Sequence, residues 1–407
     1  MMKLNPIKST YLLLFLLMNF QLISCAQSSK FKVSSSKFQV STGAERTDLY
    51  LHLLKDKNVV VVANQTSVLE IREKREERRH THLVDSLLSL GIKVKKVFAP
   101  EHGFRGKADA GEMVKDGLDA KTGLPIISLY GKNKKPSAKQ LAGIDVVVFD
   151  IQDVGVRFYT YISTLHYVLE ACAELGIKVI ILDRPNPNGH YVDGPVLELE
   201  HKSFVGMHKV PVVYGMTIGE YGQMINEEKW LKNGVKCDLT IIPLENYTHN
   251  SEYNLPIKSS PNLPNAKSIN LYPSLCFFEG TTISVGRGTD KQFQIVGSPL
   301  KLKKYSFSFV PTPNEGAKHP KHQGKTCYGY DLRTEKRLHK IQLKWLINFY
   351  KTHKNQSFFN SFFIKLAGTK KLQQQIEQGL SETEIRKTWE NDLNEFQKIR
   401  KQYLLYP

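Results

Sequence analysis

The sequence predicts an α/β protein built on a Rossmann-like, doubly wound and mostly parallel sheet, followed by a second, smaller α+β domain. Three observations predict it. Six short β-branched runs alternate with helical patterns between residues 57 and 243. These runs are apolar at almost every position, as in a sheet covered on both faces. Polar, charged and aromatic residues follow four of the runs, at the edge where such sheets bind ligands.

The strands expected in order are Val59–Ala63, Val94–Ala99, Pro125–Tyr130, Asp145–Asp150, Lys178–Asp183 and Asp238–Pro243. Each is four to eight residues long and rich in Val and Ile, the type that packs on a pleated surface. Helices are expected at His82–Leu90, Ser137–Ala142, Tyr161–Leu175 and Thr217–Trp230, where apolar residues recur at a period near 3.6. Beyond about Tyr272 the alternation weakens. Leu338–Tyr350 and Glu384–Tyr403 read as amphipathic helices, the latter with Trp389, Leu393, Phe396 and Ile399 on one buried face. The boundaries that follow are a leader at 1–24, a tether at 25–45, a Rossmann-like domain at 46–268 and an α+β domain at 269–407. The second domain is expected to lay Glu279–Thr289 across the sheet edge as a lid.

The N-terminus states a destination. Lys3 and Lys8 precede the apolar run Tyr11-Leu-Leu-Leu-Phe-Leu-Leu-Met18, and Leu22-Ile-Ser-Cys25 closes the segment. A basic start and a short apolar core make a secretory signal, too brief to span a bilayer. Small residues before Cys25 resemble a bacterial lipobox, with Cys25 lipidated and the chain held at a membrane by its acyl groups. The expected location is the cell envelope, with a periplasm-facing anchor. The chain carries 57 Lys plus Arg against 39 Asp plus Glu, a formal charge of +18. A basic surface suits anionic partners. Export and the absence of any helix-turn-helix, zinc-finger or aromatic-basic motif argue against nucleic acid. The run Arg72-Glu-Lys-Arg-Glu-Glu-Arg-Arg-His80 mixes signs and reads as a solvated helix face laced with ion pairs. Cys172, Cys237, Cys276 and Cys327 have no CxxC spacing, and Cys172 and Cys276 sit among apolar neighbours as buried thiols.

The loops after the strands carry the chemistry. They are Asn64-Gln-Thr-Ser67, Pro100-Glu-His-Gly-Phe-Arg-Gly106, Asp150-Ile-Gln-Asp-Val-Gly-Val-Arg-Phe-Tyr159 and Asp183-Arg-Pro-Asn-Pro187. None is a GxGxxG turn or a phosphate-binding Walker loop. No G-x-S-x-G elbow supports a serine esterase. His80, His82 and His102 lack HExxH or clustered ligand spacing, so no metal is assigned. What remains is carboxylates: Glu101, Asp150, Asp153, Asp183 and Glu279. Glycoside hydrolysis needs such a pair, one acid to protonate the leaving oxygen and a second group to support the oxocarbenium-like centre. Glu101 is the best-placed acid. Asp150 and Asp153 either bond sugar hydroxyls or hold Arg157, and Asp183 with Arg184 reads as either a structural ion pair or a ligand-facing group.

These motifs, with Val61-Val-Ala63, Asp193-Gly-Pro195, Leu271-Tyr-Pro-Ser274 and Phe278-Glu-Gly-Thr-Thr-Ile-Ser-Val-Gly-Arg-Gly-Thr289, resemble the exo-β-N-acetylmuramidase family, long listed as a YbbC-like domain of unknown function. The likeness runs in order from about Gly43 to the C-terminus. It implies a Rossmann-like domain and a smaller α+β domain with the active cleft between them. It also implies release of terminal N-acetylmuramic acid (MurNAc) from the non-reducing end of MurNAc-GlcNAc fragments, without metal or nucleotide. By the match, Glu101 inherits a catalytic role, and Glu279 a catalytic or sugar-binding one. The lactyl carboxylate of MurNAc asks for a guanidinium fork, from Arg157 or Arg287; Arg287 otherwise bonds local carbonyls as a turn residue. Asn64, His102, Arg105, Asp150, Asp153, Tyr159 and Asn186 complete the expected substrate contacts. Tyr159, Tyr161 and Phe104 are the rings able to stack on a pyranose, although Tyr161 opens a helix and otherwise belongs to the core. The attack on the anomeric carbon stays open among a carboxylate, a water and the substrate's own acetamido group. The rivals are a non-catalytic muropeptide-binding lipoprotein and a metal-dependent deacetylase or amidase.

Overall fold

Val59 to Val62 show how the sheet is made. Alternate side chains of this run leave on opposite faces, and both faces are covered. Val60 and Val62 join Phe98, Val147, Phe149, Val179 and Ile181 in one core, whereas Val59, Val61 and Ala63 join Val97, Val146, Val148, Ile180 and Leu182 in another. The computed structural model describes residues 39–71, 79–105, 112, 116–353 and 357–407. The folded unit is Val40–Pro407. The leader, Cys25 and most of the tether lie outside the described residues. Residues 40–45, assigned to the tether, instead belong to the fold: Gly43 donates to Asp183 O at 2.9 Å, and a Cβ there would come within 2.4 Å of Ile242 O.

In chain order the first half contains α1 (Thr47–Leu54), β1 (Asn58–Ala63), β2 (Val68–Ile71), β3 (Arg79–His82), α2 (Leu83–Ser89), β4 (Lys93–Ala99), β5 (Gly117–Leu118), β6 (Pro125–Ser128), α3 (Ala138–Leu141), β7 (Val146–Asp150), α4 (Tyr161–Leu175), β8 (Lys178–Leu182), α5 (Ile218–Glu227) and β9 (Leu239–Ile242). Seven strands form one sheet in the order β5-β6-β4-β1-β7-β8-β9. All pairings are parallel except the edge pair β5–β6. Counting the parallel strands alone, the order is 3-2-1-4-5-6, the Rossmann arrangement, with its reversal between β1 and β7. Side chains of α4 and α5 cover one face, and those of α1 and α2 the other.

The second half holds α6 (Ala266–Leu275), a 3₁₀ turn (Cys276–Gly280), β10 (Ile295–Ser298), β11 (Phe307–Phe309), β12 (Cys327–Asp331), α7 (Lys344–His353), α8 (Ser361–Ala367), α9 (Lys371–Glu377), α10 (Glu382–Lys387) and α11 (Glu390–Arg400). Its three strands form a small antiparallel sheet, β10-β12-β11. Its core side chains, among them Leu271, Phe277, Trp345 and Phe349, are continuous with the α4 face of the large sheet.

Two readings of the sequence change. Of the mixed charge run, Arg79 and His80 lie in β3, paired antiparallel with β2, and not on a helix; residues 72–78 are outside the described residues. The expected helix Glu384–Tyr403 is two helices, broken at Thr388–Trp389, although Trp389 and Phe396 are buried as anticipated. All four cysteines of the folded unit are buried free thiols.

Candidate active site

The loop after β4 begins with a tight turn in which Gly103 donates to Pro100 O at 3.0 Å. His102 occupies the left-handed region at φ 71°, a conformation that costs a non-glycine residue about 1 kcal/mol or more. This turn points Glu101 and His102 into a cavity of about 240 Å³. The loop after β7 forms the adjoining wall with Phe158, Tyr159 and Thr160. Thr160 is the N-cap of α4 but makes no capping bond with its side chain. Its hydroxyl instead donates to Glu101 Oε2 at 2.7 Å, so a group that ordinarily satisfies a helix end is diverted to orient the carboxylate. Tyr130, after β6, hydrogen-bonds Glu101 as well; burial, together with that carboxylate, pushes its phenol well above the usual range and keeps it a donor.

The opposite wall comes from the second half. The 3₁₀ turn presents Glu279, and the following loop presents Arg287, whose Nε donates to Glu279 Oε2 at 3.0 Å. Arg287 also lies 5.1 Å from the centre of the Phe293 ring. Burial works against its charge, and the Glu279 carboxylate more than restores it. Behind the turn, Lys321 Nζ donates to the carbonyls of Phe278, Thr281 and Ile283 at 3.2, 2.5 and 3.0 Å. Its ammonium is pulled below its usual pKa by desolvation. Ser260, Asn262, Leu263, Tyr272 and Cys276 close the floor. Tyr159 lines the cavity while its hydroxyl donates to Ser259 O at 2.7 Å.

Of the residues expected from sequence, Glu101, His102, Tyr159, Glu279 and Arg287 meet here. The others do not. Arg157 is fully buried and donates to four main-chain carbonyls, Pro195, Val210, Leu366 and Ala367, at 2.7–3.0 Å. It is a structural clamp and has no access to a substrate carboxylate. Asp150 is bound bidentately by Arg184 at 2.6 and 2.9 Å, so Arg184 pairs across the sheet edge and not with Asp183. Asp153 accepts from Tyr214 Oη and from Gly155 N, and desolvation raises its pKa to about 6. Asn64 donates to Tyr161 Oη at 2.8 Å, which places Tyr161 in the core. Asn186 donates to Met216 O at 2.8 Å, and Arg105 holds Asp119 at 2.8 and 3.1 Å. Phe104 is buried edge-on against His82. Tyr130, Thr160, Asn262, Tyr272 and Phe362 line the cavity without having been singled out. Thr160 directly follows a quoted motif, Tyr272 lies within another, Leu271-Tyr-Pro-Ser274, and Tyr130 ends an expected strand; nothing local distinguishes the other two.

Two carboxylates from different halves of the chain, each hydrogen-bonded and facing one small cavity, are the groups that a glycosidase requires. Comparison with known proteins narrows the class. The N-terminal family model of the exo-beta-N-acetylmuramidase NamZ matches residues 59–267, and its C-terminal model matches residues 270–406. The chain is 36% identical to the peptidoglycan beta-N-acetylmuramidase NamZ of Bacillus subtilis, over 98% of this chain and all of that one. Two crystal structures of DUF1343 family proteins from Bacteroides fragilis are similar, with TM-scores of 0.80 and 0.76 at 43% and 27% identity. Each covers 90% of this chain and 99% of its own. The chain belongs to the exo-β-N-acetylmuramidase NamZ family.

Proposed function

We propose that the protein releases terminal MurNAc from the non-reducing end of peptidoglycan fragments, as an exported lipoprotein serving cell-wall turnover. The observation that carries this reading is the cavity shared by Glu101 and Glu279. At about 240 Å³ it is smaller than the ~300–1,000 Å³ of sites for drug-sized ligands, and so suits one sugar unit at a chain end. Glu101, oriented by Thr160 and Tyr130, is the acid that protonates the glycosidic oxygen as the bond to the anomeric carbon breaks. Arg287 uses Nε for Glu279. Its two terminal amino groups make no hydrogen bond among the described residues, and they form a fork for the lactyl carboxylate. With Arg157 committed to carbonyls, Arg287 is the guanidinium for that task.

The test is hydrolysis of a chromogenic β-MurNAc glycoside and its β-GlcNAc counterpart, with chelator added to one arm. Release from the MurNAc compound alone, lost in Glu101→Gln and indifferent to chelator, supports the reading. Release from both compounds at equal efficiency refutes recognition of the lactyl group. Retained activity in Glu101→Gln removes the proposed acid. For the anchor, Cys25→Ala should move the protein from the membrane to the soluble fraction; an unchanged distribution would refute lipidation.

A further inference from the structure

Among the described residues, the exposed large apolar side chains are Leu90, Leu118, Leu175, Leu199, Val310, Phe362 and Leu405. Six are aliphatic, and isolated exposed aliphatics need no explanation. The seventh is an aromatic ring, 38% exposed, and it lies on the wall of the cavity that holds Glu101 and Glu279.

Its place is fixed from both ends of α8. At the N-terminus, Asn360 Oδ1 accepts from Phe362 N at 2.9 Å, and Asn360 N donates to Gly280 O at 2.9 Å. The helix is pressed so closely onto the Glu279 turn that a Cβ on Gly280 would lie 2.4 Å from Phe363 Cα. At the C-terminus, Arg157 grips the carbonyls of Leu366 and Ala367. The backbone of Phe362 therefore keeps a set position relative to the Glu279 turn. Depth also varies around the cavity: Leu263, Tyr272 and Phe293 are buried, whereas Phe362 is the most exposed of its walls.

We infer that Phe362 is the platform for the leaving sugar, stacking on the apolar C–H face of the unit bonded to the terminal residue. This rests on the reading that the cavity takes the terminal sugar. A chain end that enters a closed floor leaves its neighbour at the mouth, where the exposed ring stands. Pyranose faces are apolar where the axial C–H bonds converge, and an aromatic ring covers such a face without demanding hydrogen bonds.

The experiment compares Phe362→Ala and Phe362→Trp with the wild type on two substrates. One is the MurNAc-GlcNAc disaccharide, and the other is a MurNAc glycosyl fluoride, which has no leaving sugar. Phe362→Ala should raise KM for the disaccharide about three- to tenfold, the scale of one aromatic contact. It should change KM for the fluoride far less, and Phe362→Trp should restore the disaccharide value. If the wild type cleaves the disaccharide and Phe362→Ala alters both substrates equally, or neither, the platform is refuted while the function stands. A wild type inert on both substrates overturns the function and this inference with it.

Discussion

Replacing Arg157 by leucine tests whether this arginine is a clamp or a ligand. The guanidinium ties Pro195 O and Val210 O to Leu366 O and Ala367 O, joining the first half of the chain to the helix that forms the cavity wall. Leucine leaves four buried carbonyls without these donors, at about 1–3 kcal/mol each before relaxation. A buried charge is itself costly to desolvate, so its removal offsets part of that sum and leaves the low end of it. The expected loss is therefore about 4 kcal/mol, a large share of the ~5–15 kcal/mol that holds a typical protein folded. Urea denaturation of Arg157→Leu and Arg157→Lys reads it. Lysine, a single ammonium without a planar fork, should recover only part. Gly368→Ala gives an independent check, because at φ 71° its Cβ would sit 2.7 Å from Arg157 Nη2. Were Arg157→Leu to unfold within about 1 kcal/mol of the wild type while KM rose steeply, the clamp would be wrong and a substrate contact right.

Other outcomes follow from the same packing. Gly280→Ala should push α8 off the Glu279 turn, lowering stability and activity together; normal kcat and an unchanged urea midpoint would count against that close approach. Lys321→Met removes three donors from the carbonyls around Glu279, at about 1.5–3 kcal/mol, and should lower kcat more than it raises KM. Burial raises Asp153 to about 6 and Asp183 to about 7 from 3.8. Both favour the folded state when protonated, so their contribution is complete below about pH 4 and is lost as pH climbs to about 7. Asp153→Asn should therefore compare with the wild type more favourably at pH 8 than at pH 5, by about 1 kcal/mol; an equal difference at both would contradict the shift.

The strands were readable because four consecutive valines, or Val-Ile-Ile-Leu, fit little besides a strand buried on both faces. Helix α4 was readable residue for residue, since Gly176 ends it in the left-handed conformation. The site was half readable. A polar residue at a strand end looks the same in sequence whether it faces a cavity or the interior. Asn64 and Asn186 turned inward to satisfy buried backbone and hydroxyl groups, and Asp150 was taken up by Arg184. Phe362 and Asn262 gave no signal, because their positions arise only when distant segments pack.

The inward turn of Asn64 accompanies the absence of the loop after β1 from the cavity wall. The strand order reverses between β1 and β7, and a Rossmann sheet ordinarily binds its ligand in the crevice there. Here the crevice is filled from within. Asn64 Oδ1 accepts from Thr66 N at 2.9 Å and Oγ1 at 2.6 Å, Thr66 Oγ1 accepts from Gln152 N at 3.0 Å, and Asn64 Nδ2 reaches Tyr161. With that position taken, the first half contributes the loops after β4, β6 and β7 and, through Val205, the segment after β8. The residues from Ser260 to Leu366 supply the opposite wall. Neither half lines the cavity alone, so the wall that bears Glu101 and the wall that bears Glu279 come together only when both halves have packed.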